Sequence, residues 1–233
     1  MFPFAHLYCT KKITNSSLPD LLYGSIFQDI PMTGIVSWDK MKIETENFSK
    51  VIKQKYPELE GFAVGLLLHE EPMGIDRFVH GGGGYAYLKG AEIIGEIEKY
   101  FPDRSIHIAH SFIEFAVEML LIEKLPDAQD DAKELLIWET GKHKQLTMAF
   151  GEFFDLRQPE ASSAILEFND WLLRVDLSSR EKGIAFYTKL TNKMRHTDYS
   201  EEIVGNLLEK AVAVVKEDYM NFLEETIAKC KNG

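Results

Sequence analysis

The stretch at residues 106–124 reads IHIAHSFIEFAVEMLLIEK and is strongly apolar over its length. It stops just before Pro126, a residue that cannot continue a helix without the loss of a backbone hydrogen bond. A long segment that is apolar on nearly every side is typical of a helix buried inside a larger helical domain. The stretch therefore predicts a central helix, and we expect the other segments to pack around it.

The rest of the chain also has the apolar spacing of helices, with capping residues, prolines and glycines at the ends. The predicted helices cover 21–30, 58–70, 85–100, 128–154 with an interruption at Gly141, 160–174, 178–196 and about 28 residues from Asp198. Only residues 34–38 have a strand-like pattern. We predict an all-α fold and a single domain over residues 1–233.

Composition and charge exclude several classes of protein. The chain is 45% hydrophobic and 27% charged, which is an ordinary globular balance. Its formal charge of −11 argues against a protein that coats nucleic acid, since binding a polyanion requires clustered Lys and Arg. No uninterrupted apolar run approaches the roughly 20 residues that span a bilayer. We therefore expect no transmembrane segment, and the sequence indicates no particular oligomeric state.

The location is predicted from the N-terminal residues and the cysteines. The first residues, MFPFAHLYCTKKI, do not have the pattern of a signal peptide. Cys9 and Cys230 are the two cysteines, and a disulfide between them stays open. Two cysteines make no framework of disulfides, so a reducing, cytoplasmic location is the simpler interpretation.

His110 and Glu114 form the tightest local pattern of metal-ligand type. They lie four residues apart on the predicted central helix, so both side chains stand on one face, one turn from each other. An imidazole and a carboxylate together suit Zn²⁺. A simple helix contact is the alternative. Glu118 continues this face as a candidate carboxylate that orients a ligand. His107 either hydrogen-bonds to a metal ligand or is an exposed residue at the start of the helix.

A second cluster contains His69, Asp76 and His80. His69 ends the apolar segment GFAVGLLLH, and Asp76 and His80 follow it, four residues apart. Metal sites in helical proteins are assembled from side chains of facing helices in this way. The alternatives are a histidine at the negative end of a helix dipole and an Asp76–Arg77 ion pair.

His6 and Asp29 are the N-terminal candidates. His6 lies in an apolar setting, between Phe4-Ala5 and Leu7-Tyr8. Asp29 lies near the C-terminal end of a predicted helix, where a negative charge is unfavourable unless a cation compensates for it. A ligand role would explain this position, and a turn-forming aspartate before Pro31 is the alternative.

In their order along the chain, these pieces resemble the zinc-dependent phospholipase C family, which shares its helical fold with the S1/P1-type nucleases. The matching residues lie within residues 1–124 and are His6, the segment GSIFQDI at 24–30, the segment LLLH at 66–69, Asp76, His80, His110 and Glu114. The resemblance implies a multi-helix bundle of the phospholipase C/P1 nuclease type. Residues 1–124 would then be the half that carries the metal site, and 125–233 would complete the bundle.

The resemblance also implies a site with one to three zinc ions, or with another divalent metal. His80, His110 and Glu114 would hold one ion, while His6, Asp29, His69 and Asp76 would hold or bridge the others, with Asp29 also a catalytic residue. The implied activity is the hydrolysis of a small phosphoester by a metal-activated water.

The sequence departs from the family pattern at several places. Gln28 stands where the family has proline, and no residue matches the family's N-terminal tryptophan. The family has a further ligand between the positions of Asp29 and His69, and this chain has none there. The interval from His69 to Asp76 is also longer than in the secreted enzymes of the family. The alternative function is therefore a non-catalytic helical binding protein with a degenerate metal site. An HD-type phosphohydrolase is disfavoured because the chain contains no His-Asp dipeptide.

Overall fold

A computed structural model describes residues 3–70, 73–81, 83–103, 105–135 and 140–232. These residues form thirteen α-helices and no strand, so the all-α prediction is confirmed. The helices are α1 (Pro3–Thr14), α2 (Pro19–Phe27), α3 (Trp38–Lys55), α4 (Glu60–His69), α5 (Asp76–Val79), α6 (Tyr85–Ile97), α7 (Ser105–Lys124), α8 (Asp127–Glu134), α9 (Thr140–Phe154), α10 (Gln158–Arg174), α11 (Arg180–Arg195), α12 (Glu201–Val215) and α13 (Tyr219–Asn232). Short 3-10 helices at Ile30–Thr33 and Pro57–Leu59 flank α3.

Helix α7 is the central helix that the apolar stretch predicts. Most of its residues are buried, and it packs against α1, α6, α11 and α12. It is also long and apolar enough to cross a membrane by length and composition, but 78% of its apolar window is covered by the rest of the chain. The buried core helix of a soluble protein meets the same criterion.

Helices α2 and α4 make the closest helix contact near the predicted site. A Cβ atom on Gly24 would lie 2.1 Å from the carbonyl oxygen of Phe62, and one on Gly65 would lie 2.1 Å from that of Leu21. The two backbones therefore touch through glycines on both sides. This contact fixes the position of His69, the last residue of α4.

Three predictions about helices and strands were wrong. Residues 34–38 form bends and the first residue of α3 instead of a strand. The final 28-residue helix is divided into α12 and α13 by a turn at 216–218. Gly141 lies within α9, and α8 ends earlier, at Glu134, so the predicted interruption lies before Gly141.

Candidate metal centre

The predicted site residues meet at a cleft of about 590 Å³, which we call the site cleft. Both halves of the chain line it, because α10 and α11 contribute residues together with the end of α4, the start of α5 and the first turns of α7. Seven of the nine predicted residues line it: Asp29, His69, Asp76, His80, His107, His110 and Glu114.

His6, His69 and Asp76 form the first ligand group. One oxygen of Asp76 lies 3.2 Å from Nε2 of His6, and the other lies 3.3 Å from Nε2 of His69. The two imidazoles stack face to face with ring centroids 3.8 Å apart. Ligand atoms around a tetrahedral zinc ion are separated by about 3.4 Å. Each of the three side chains offers one ligand atom, and these atoms lie within 4.8 Å of one another, so one ion could reach all three.

The backbone around His69 determines which ring nitrogen faces the group. Nδ1 of His69 lies 2.7 Å from the carbonyl oxygen of Ser25, so this nitrogen carries the proton and donates it. Nε2, the other ring nitrogen of His69, then faces Asp76. Gln28, at the position where the resembling family has proline, donates from Nε2 to the carbonyl oxygen of Leu66 at 3.0 Å. The end of α2 thus holds α4 beside His69.

His80, His110 and Glu114 form the second ligand group. Each offers one ligand atom, and these atoms lie within 4.8 Å of one another. Nε2 of His80 contacts Oε1 of Glu114 directly. The rings of His80 and His110 approach edge to face at 5.4 Å. Because His110 and Glu114 are one turn apart on α7, their proximity follows from helix geometry, whereas His80 comes from the end of α5.

The two ligand groups are neighbours that share a contact. Nδ1 of His80 lies 3.3 Å from Oδ2 of Asp76, the same oxygen that faces His69. His80 therefore contacts a carboxylate of each group, one with each ring nitrogen. A carboxylate that accepts from the outer nitrogen of a metal-binding histidine is the usual way such a ring is oriented.

Burial and neighbouring charges shift the pKa values of the imidazoles in different directions. Burial lowers the pKa of His6 to about 3 and that of His110 to about 4. Burial opposes the charged form of His80 too, but Glu114 and Asp76 together raise its pKa to about 9. In Asp76 burial is outweighed by surrounding positive charge, including that of His80 and His69, and the carboxyl pKa falls below its usual value. A bound cation would take the place of the proton on His80.

Three predicted residues lie outside the two ligand groups. Asp29 lines the site cleft, and burial raises its pKa to about 6. His107 is exposed at the cleft edge, where Nδ1 lies 3.2 Å from the hydroxyl of Tyr87. Glu118 is fully buried and does not line the cleft. It accepts hydrogen bonds from the amides of Phe4 and Ala5 at 2.8 Å each, so it holds the first turn of α1, which carries His6.

The second half of the chain also lines the cleft, and no motif in the sequence predicts this contribution. Trp171 is half-buried and lines the cleft from α10. The other contributions come from α11 and include Tyr187, Leu190, Met194 and Arg195. Nothing local in the sequence of α11 indicates this role, because its approach to α7 is a tertiary contact.

No family model, curated protein or solved structure matches this chain. The phospholipase C-like resemblance therefore stays a prediction from the residues quoted above.

Proposed function

We propose that this protein is a metal-dependent hydrolase of a phosphoester, with zinc or a similar divalent ion held by the two ligand groups. The observation that carries the proposal is the meeting of six potential ligands in two adjacent groups beside one cleft. They span more than a hundred positions of the sequence, from His6 to Glu114, so the fold is needed to bring the separate segments together.

The donor atoms suit a divalent cation. Four imidazoles and two carboxylates are the nitrogen and oxygen ligands that zinc takes in proteins. Among the described residues, Nδ1 of His6 and Nδ1 of His110 have no hydrogen-bond partner, although both atoms are buried. Buried polar atoms are nearly always paired. A metal ion in each ligand group would bind one nitrogen of each of these rings.

The chemistry divides between the ion and the side chains. A bound divalent ion supplies Lewis acidity toward a phosphoryl group and an activated water. Asp29 is the proposed general base because it lines the cleft and its pKa of about 6 leaves it ionised but able to take a proton near neutral pH. Asp76 orients His80 and His69, and Glu118 positions α1 so that His6 stays in the first group.

Metal analysis with matched histidine variants tests the proposal. After dialysis against zinc and removal of free metal, we expect at least one equivalent of bound zinc, and less in His110→Ala. His143→Ala is the control, since His143 lies on α9 and does not line the cleft. Hydrolysis of 4-nitrophenyl phosphate or bis(4-nitrophenyl) phosphate should require the metal and stop with a chelator.

Two results would count against this function. If the zinc-supplemented protein holds no metal, both the hydrolase and its proposed site are wrong. If it holds zinc and hydrolyses neither ester, the result favours the non-catalytic binding protein.

A further inference from the structure

Arg195 brings a fixed positive charge to the site cleft from the second half of the chain. It is the last residue of α11, it is half-buried, and it lines the same cleft as both ligand groups. Its Nη2 donates to the hydroxyl of Ser111 at 3.1 Å. Ser111 directly follows His110 on α7, so the guanidinium lies beside the second ligand group.

The hydrogen bonds of Ser111 anchor Arg195 in one direction. The hydroxyl of Ser111 donates its single proton to the carbonyl oxygen of Ile108 at 2.9 Å, and it accepts from the hydroxyl of Tyr187 at 3.2 Å. It can therefore only accept from Arg195. This contact positions the guanidinium at the site cleft.

The turn after α11 fixes the backbone of Arg195. His196 adopts a left-handed conformation with φ of 54°, which ends the helix. The side chain of Asn192 accepts hydrogen bonds from the amide of Tyr199 at 3.0 Å and the hydroxyl of Thr197 at 2.9 Å. It also donates to the carbonyl oxygen of Tyr199 at 2.9 Å. These contacts tie the turn to α11, so Arg195 is placed on a rigid support.

We propose that Arg195, anchored by Ser111, binds the phosphoryl group of the substrate and makes phosphomonoesters the preferred substrate class. This inference rests on the proposed function. A guanidinium binds phosphate oxygens as a planar fork of N–H donors. It would add a third cationic contact to those of the metal ions that the two ligand groups would hold.

The number of phosphoryl oxygens argues for a monoester. A phosphomonoester has three terminal oxygens and carries close to two negative charges at neutral pH, whereas a diester has two terminal oxygens and one charge. One metal ion in each ligand group and one guanidinium would together give three cationic contacts, one for each terminal oxygen. The alcohol part of the ester would then lie against the apolar side chains of the cleft, among them Trp38, Trp171 and Met194.

The test compares two esters of the same alcohol in variants of Arg195. In Arg195→Gln we expect kcat/KM for 4-nitrophenyl phosphate to fall roughly 10- to 100-fold, and that for bis(4-nitrophenyl) phosphate to change less than about 3-fold. Arg195→Lys keeps the positive charge but lacks the fork of N–H donors. Its kcat/KM for 4-nitrophenyl phosphate should therefore lie between that of Arg195→Gln and that of the unaltered protein. Lys193→Gln is the control because Lys193 is exposed on the same helix and pairs with Glu167 at 3.0 Å.

Binding of inorganic phosphate gives a readout that does not depend on hydrolysis. By calorimetry on the zinc-supplemented, desalted protein, phosphate should bind at least roughly 10-fold more weakly to Arg195→Gln than to Lys193→Gln. If this occurs without hydrolysis of either ester, the anion site stands and the proposed hydrolase is wrong. The inference is wrong if both variants bind phosphate equally or if the unaltered protein binds none. It is also wrong if kcat/KM falls equally for both esters in Arg195→Gln. Melting temperatures of both Arg195 variants confirm that each is folded.

Discussion

At the scale of single residues, Glu118 has the clearest pH-dependent role. Burial raises its pKa from the usual 4.5 to about 8, although the two amide hydrogen bonds from α1 favour the ionised form. A raised pKa in the folded state means that the neutral acid stabilises the fold. This stability is fully present below pH 4.5 and is lost as the pH rises through 8.

We therefore expect Glu118→Gln to remove most of this pH dependence. Relative to the variant, the unaltered protein should lose roughly 2–4 kcal/mol of unfolding free energy between pH 5 and pH 8. Urea denaturation with a chelator present measures it, so that metal binding does not contribute. Glu224→Gln, at an exposed position on α13, should leave the slope unchanged. The same slope in all three proteins would contradict the role of Glu118.

At the scale of helices, the α2–α4 contact predicts a contrast between two glycine substitutions. Gly65→Ala would place a Cβ 2.1 Å from the carbonyl oxygen of Leu21, and a backbone atom cannot move aside cheaply. We expect a loss of about 2–4 kcal/mol of unfolding free energy. The displaced α4 should also weaken zinc binding, because His69 ends that helix.

Gly95→Ala is the matched control for Gly65→Ala. Gly95 lies within α6, is exposed, and a Cβ there would meet nothing within 4 Å. Alanine should stabilise this position by about 0.5–1 kcal/mol, as it does in an open helix. Chemical denaturation of both variants decides the question, and a neutral Gly65→Ala would show that the two helices are not in the close contact described.

At the scale of the whole molecule, metal binding should stabilise the fold. The six potential ligands come from α1, α4, the region of α5 and α7, which lie far apart in sequence. An ion that binds only the folded chain adds about 2.7 kcal/mol when its free concentration is a hundred times Kd. Zinc should therefore raise the melting temperature by several degrees, and a chelator should reverse the increase.

The same measurement on His69→Ala separates specific from general effects of zinc. The variant lacks one ligand of the first group, so its melting temperature should rise less with zinc than that of the unaltered protein. An equal rise in both proteins would indicate that zinc binds elsewhere.

The features of the fold and the site that the sequence predicts are those that depend on local helix geometry. The apolar stretch of α7 and the pairing of His110 with Glu114 follow from helix periodicity alone. Helix α3 was missed because its buried face mixes apolar with polar residues, such as Thr45 and Ser49, so the periodic signal is weak. The turn before α13 was missed because no proline or glycine marks it. There, Asp218 pairs with Lys89 and Tyr85 of α6, a contact that the sequence cannot show.

The division of the site cleft between the two halves of the chain has a consequence for its evolution. The ligand groups belong to residues 6–114, whereas six of the residues that line the cleft lie between 171 and 195. Substitutions at Trp171 or Met194 would therefore change which molecules fit while leaving every metal ligand in place. Substitutions in these two helices could therefore alter the shape of the cleft while both ligand groups keep their residues.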